Sequence, residues 1–139
     1  MRLTNKGRYA VMAMVDLAQS NINQPSNIKE ISLRQGISIS FLEKIFLDLK
    51  KSNLVRSSRG PSGGYSLIKS PEEIKISSII KAVDEKIKTM GCKKELKKGC
   101  NGRSTKCVTH NLLNDLENHI NNFFEQNTLK DIIYRESKN

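Results

Sequence analysis

The sequence predicts a mostly α-helical fold with a small β-hairpin wing: a winged helix-turn-helix followed by a long C-terminal helix. Three observations carry this expectation. Two helical segments flank a glycine at Gly36, two strand-like runs enclose a glycine-rich turn after the second of them, and an apolar stripe at helical spacing runs from Val108 to Phe124.

The first helix is marked by Tyr9, Ala10, Ala13, Met14 and Leu17, which share one face, with Thr4 as its expected cap. Asn21 to Asn27, with Pro25, reads as a connector. Ile28 to Gln35 reads as a short helix with Ile28 and Ile31 inward, stopped by Gly36, because glycine tolerates the left-handed backbone a tight turn needs. Ser40-Phe41-Leu42-Glu43 has the form of a capping box opening the next helix. Its inward stripe is Phe41, Leu42, Ile45, Phe46 and Leu49, and Asn53 ends it. Val55 to Ser58 and Tyr65 to Ile68 are the strands, joined by Arg59-Gly60-Pro61-Ser62-Gly63-Gly64. The glycines suggest a hairpin turn, not a phosphate-cradling loop, since no Gly-Lys-Ser/Thr follows. Ser70 to Glu73 reads as a turn and Ile76 to Asp84 as a short helix.

Residues 86–106 change character: eight Lys/Arg stand against one acid, Glu95, and three glycines interrupt them. A loop this long inside a compact chain suggests function or disorder. The last long helix is expected from about Ser104, with Val108, Leu112, Leu116, Ile120 and Phe123 as its stripe. A closing helix, Leu129 to Tyr134, is capped by Thr128. The expected organisation is a DNA-binding unit at 1–85, a ligand-binding loop at 86–106 and a dimerisation element at 104–139. An apolar stripe longer than a small domain can cover suggests a partner helix, hence a homodimer.

Hydrophobic residues make up 37% and charged residues 27%, a balance that favours a globular chain. No segment approaches the ~18 apolar residues of a membrane span, so no membrane partner is expected. Tyr9 to Leu17 contains the acidic Asp16 and no small-residue cleavage site follows, so no signal peptide is read and a cytoplasmic location is expected. The net charge of +10 favours a polyanionic partner, and nucleic acid is the first candidate.

In a helix-turn-helix the second helix enters the major groove with its N-terminal residues at base edges. Ser38, Ile39, Ser40 and Glu43 occupy that position here. Serine can hydrogen-bond many base edges, and a carboxylate accepts from cytosine N4. Arg59 stands at the root of the hairpin tip, where an arginine can enter a narrow minor groove. Lys6, Arg8, Lys44, Lys50, Lys51 and Arg56 are candidates for phosphate contacts. The competing readings are a mere capping box for Ser40 and Glu43 and a solvated face for the lysines.

All three cysteines lie between residues 92 and 107, and with a histidine they form Cys92-x7-Cys100-x6-Cys107-x2-His110. In a reducing compartment such clustering suggests ligands, not disulfides. Cys107 and His110, three apart, would share a helical face, and the lysine-rich loop favours thiolates. Zinc, in a closed Cys3His site, is the first expectation from spacing. An iron–sulfur cluster and incidental free cysteines are the alternatives. No acid–base constellation stands beside the cysteines, so neither an enzyme nor a small-molecule substrate is expected.

Several ordered motifs carry a likeness. Met1-Arg2-Leu3-Thr4-Asn5-Lys6-Gly7-Arg8-Tyr9-Ala10-Val11, Arg34-Gln35-Gly36-Ile37-Ser38, Arg59-Gly60-Pro61-Ser62-Gly63-Gly64-Tyr65 and Ala82-Val83-Asp84-Glu85 resemble bacterial iron–sulfur cluster regulators of IscR type. The resemblance covers nearly the whole chain. It implies a winged-helix dimer that binds double-stranded operator DNA, with Ser38, Ser40 and Glu43 as base contacts and Arg59 as the wing arginine. It also implies a [2Fe–2S] cluster in place of zinc, on Cys92, Cys100, Cys107 and His110. The expected mechanism is then a switch, in which ordering of residues 86–110 beside the dimer helix alters operator preference.

Overall fold

The structure, a computed structural model, describes residues 4–20, 24–84 and 107–138. The helices are α1 (Asn5–Gln19), α2 (Ile28–Gln35), α3 (Ile39–Lys51), α4 (Ile76–Ala82), α5 (His110–Gln126) and α6 (Leu129–Ser137). The strands β1 (Val55–Ser58) and β2 (Gly64–Leu67) follow α3, and a single 3-10 turn, Pro71–Glu73, precedes α4. The mostly helical fold with one hairpin is the one expected.

α1 is the central helix. Ala10, Ala13, Met14 and Leu17 bury one side of it, and the two alanines let neighbouring helices approach closely. Thr4 stands at its N-cap as expected, but its side chain makes no capping hydrogen bond; its carbonyl accepts from Arg8 N–H. α2 is capped by Asn27, whose side chain accepts from Lys29 N–H at 2.8 Å. Gly36 ends it at φ 67°, a left-handed backbone. Space beside Gly36 is open, so backbone conformation alone selects glycine there.

The expected capping box of α3 is displaced. Ser38, not Ser40, is the N-cap, and its hydroxyl accepts from Phe41 N–H. The cause is Ile37, buried directly after the Gly36 turn: anchoring it leaves Ser38 as the last extended residue before the helix. Leu42, Ile45, Phe46 and Leu49 are fully buried, each contributing about 1.5–3 kcal/mol by removal from water. Phe41 is only half-buried, edge-on to Tyr9 at 5.5 Å. After the helix, Asn53 takes a left-handed φ of 59° and turns the chain into β1.

β1 and β2 pair antiparallel from Val55↔Leu67 to Ser58↔Gly64. The second strand starts one residue earlier than expected, because Gly64 pairs with Ser58, and Ser26 pairs with the same strand from its other side. Ser26 and Tyr65 exchange two backbone hydrogen bonds of 2.8 Å. A side chain at Gly64 would collide with the Ser26 carbonyl, so only glycine lets the wing root close on the segment before α2.

The C-terminal helices return to the same core. Lys75 and Thr128 form an isolated bridge, with Ile76 N–H donating to Asn127 and Leu129 N–H to Ile74. Leu129 is fully buried among the residues of α1, α3 and α4. Thr128 caps α6 as expected, in a capping box with Asp131. α5 begins at His110, later than expected: Cys107 to Thr109 form a turn, and residues 104–106 lie outside the described residues.

Candidate nucleic-acid interface and metal-ligand segment

The helix-turn-helix is α2, the Gly36 turn and α3, and its angle is fixed from α1. Asp16 is 4% exposed and holds both ends of the Arg34 fork, Nη2 at 2.7 Å and Nε at 3.0 Å. Gln35 Nε2 adds a third bond at 2.8 Å. Burial alone would push the Asp16 carboxyl up. The hydrogen bonds from Arg34 and Gln35, with the guanidinium charge, outweigh it and hold the group below the usual carboxylate value.

α3 turns its other face outward. Ser38, Ser40 and Glu43 are all exposed, and Ser40 and Glu43 make no side-chain hydrogen bond or ion pair among the described residues. Glu43 therefore does not reach back to cap the helix. Arg59 follows the last residue of β1 and is exposed at the turn. The wing and α3 are joined by Phe46 and Tyr65, stacked at 4.5 Å and 18°. Lys50 Nζ adds a bond to Ser57 Oγ on β1 at 2.9 Å.

The six expected phosphate-binding residues divide. Lys6 is paired with Asp48 at 2.9 Å, linking α1 to α3, and Arg8 lies 5.4 Å from the Tyr9 ring centre. Lys44, Lys51 and Arg56 are exposed, with no acidic partner among the described residues. These three, with Arg59 and Lys50, make the basic frame around the outer face of α3.

Residues 3–135 match Rrf2, described as an iron-dependent transcriptional regulator. The chain belongs to the Rrf2 family. Over 133 residues it is 46% identical to the HTH-type transcriptional regulator IscR of Pectobacterium carotovorum subsp. carotovorum (strain PC1), covering 96% of this chain and 79% of that one. T. potens IscR has 31% sequence identity and a TM-score of 0.77, over 98% of this chain and 88% of that one. CymR, the global cysteine regulator of B. subtilis, shares the fold with a TM-score of 0.78 at 24% identity, over 95% of both chains. As an Rrf2 member, the chain is a DNA-binding transcription regulator with a winged helix, not an enzyme. Among the described residues no helix is long and apolar enough to cross a membrane.

Of the four expected metal ligands, Cys92 and Cys100 lie outside the described residues. Cys107 and His110 stand at the entrance to α5, where His110 N–H donates to the Cys107 carbonyl at 3.0 Å. Such a three-residue turn stacks side chains i and i+3 one above the other. The hydroxyl and N–H of Thr109 lie beside the Cys107 sulfur, the hydroxyl at 3.3 Å, and hold the thiol below its usual range. A thiol and an imidazole three residues apart are donor types that fit either zinc or an iron–sulfur cluster. No group of three His, Cys, Asp or Glu gathers among the described residues.

The far end of α5 is fastened to the DNA-binding core. Glu125 accepts from Lys75 Nζ at 2.8 Å and from Ser77 Oγ at 2.6 Å. Along α5, Leu112, Leu116 and Phe123 stay exposed at 68%, 38% and 48%, and Ile120 is half-buried. His119 is exposed beside Phe123 on this surface.

Proposed function

We propose that this regulator binds operator DNA as a homodimer and that a [2Fe–2S] cluster on Cys92, Cys100, Cys107 and His110 sets its choice of site. The supporting observation is the position of α5. Its entrance carries the donor pair Cys107 and His110, and its exit carries Glu125, bonded to α4. One rigid helix thus spans from the candidate ligands to the core on which α3 rests.

In this reading Ser38, Ser40 and Glu43 meet base edges in the major groove, and Arg59 enters the adjacent minor groove. Lys44, Lys51 and Arg56 hold phosphates and set the register. The exposed stripe of Leu112, Leu116 and Phe123 pairs α5 with its copy. A two-fold dimer then presents its α3 helices to half-sites about 34–36 Å apart. A reducing cytoplasm keeps the cysteines free of disulfides and available as ligands. When bound, an iron–sulfur centre supplies a group that oxidants or iron scarcity remove. The chain's own part is to hold that group at the α5 entrance and to carry any shift of α5 through Glu125, Lys75 and Ser77 into α4.

Purification without oxygen tests the reading. Reddish-brown protein with equal amounts of iron and acid-labile sulfide is expected, with the colour lost in Cys92→Ala. Colourless protein with one zinc per chain would replace it with a zinc-stabilised regulator. Equal affinity and site choice for the wild type and Cys92→Ala would remove the switch.

A further inference from the structure

We infer that Leu47 reads a thymine methyl group in the major groove. The inference rests on α3 being the helix that enters the groove. Leu42, Ile45, Phe46 and Leu49 define the buried side of α3. At 100° per residue, Leu47 falls almost opposite the centre of that side. It is 51% exposed, and no packing requirement of the described core explains an apolar residue there.

Its surroundings identify the partner. Glu43 and Ser40 stand on the same face, one and two turns earlier, and Lys44, Lys50 and Lys51 flank it. A leucine ringed by lysines suits a surface that is anionic at its edges and locally apolar at its centre. The major groove has that character: phosphates line its rims, and the thymine C5-methyl is the apolar group on its floor. Leu47 lies about 6 Å beyond Glu43 along the helix axis, so the two side chains would address base pairs about two steps apart. The serines and the carboxylate supply hydrogen bonds, and Leu47 supplies the contact they cannot make.

The test uses duplexes selected from a random pool by the full-length wild-type protein. Each thymine of one selected half-site is replaced in turn by deoxyuridine, which removes the methyl and nothing else. The wild type is expected to lose roughly three- to fivefold in affinity at one position, the worth of one buried methyl. Leu47→Ala is expected to bind the parent duplex more weakly by a similar factor and to show no response to deoxyuridine at that position. Thermal melting of Leu47→Ala should match the wild type, because the side chain is outside the core. A Leu47→Ala protein that still responds to deoxyuridine as the wild type does, or a wild type that responds nowhere, overturns the Leu47 assignment while leaving α3 in the groove. A pool that yields no preferred duplex, or selected duplexes indifferent to Ser40→Ala and Glu43→Ala, overturns the reading of α3 itself.

Discussion

Arg34 grips Asp16 side-on, through Nε and Nη2, across the junction of α2 and α1. Arg34 and Gln35 are the last two residues before the Gly36 turn, so their shared acceptor fixes where that turn begins. The carboxylate is buried and the guanidinium half-exposed, so the pair is screened from one side only.

Asp16→Asn is expected to lower stability by about 2 kcal/mol, less than a fully buried pair would lose. Urea denaturation measures it. The folded-state value of Asp16 is depressed, so its contribution is complete above an unfolded value near 4 and is lost as pH falls through the folded value. The gap between wild type and Asp16→Asn should therefore be constant above about pH 5 and close in stronger acid.

At the wing root, Gly64→Ala must push β2 away from Ser26. The expected cost is above about 2 kcal/mol, as for other overpacked sites. DNA affinity should fall with it, since Tyr65 and its stack on Phe46 move as well. Gly36→Ala meets no neighbour and should cost about 1–2 kcal/mol, from backbone strain alone. Thermal melts of the two variants, with a gel-shift titration, distinguish collision from strain.

On the proposed pairing of α5 with its copy, Leu112→Glu combined with Leu116→Glu is expected to yield a monomer where the wild type is a dimer, read by light scattering. Neither side chain belongs to the core, so helical circular dichroism should be retained. A variant that stays dimeric would place the dimer interface elsewhere.

Glu125→Ala removes both bonds between α5 and α4. Lys75 and Glu125 are solvent-exposed, so stability should change little. The informative quantity is the ratio of DNA affinities with and without prior treatment with an iron chelator. It should move toward one in Glu125→Ala if this contact carries the coupling.

Most elements of the fold were legible because their local signals agree with their tertiary setting. α2 starts and ends where Asn27 and Gly36 indicate, and Thr128 caps α6. The start of α3 was misread because Ser38 and Ser40 are both plausible caps, and Glu43 completes a capping box only for the second. Burial of Ile37 decides between them, and that is a tertiary fact. Leu47 escaped notice for a related reason: among so many apolar residues in α3, it passes for core until helical angles are assigned. A single leucine opposite the apolar stripe was the available signal. The Asp16 cluster was hidden altogether, since eighteen residues separate Asp16 from Arg34.

The return of α6 to the core has a consequence for how the protein is made. Leu129 belongs to the same buried cluster as Ala10 and Met14, residues synthesised near the beginning. During translation, the place in the core that Leu129 fills stays open until residue 129 has left the ribosome. The shared core is thus completed only when the C-terminal helices arrive. A chain stalled within the lysine-rich stretch at 86–106 would hold α1 to α4 with that gap open, a target for chaperones and proteases rather than an early competitor for the operator.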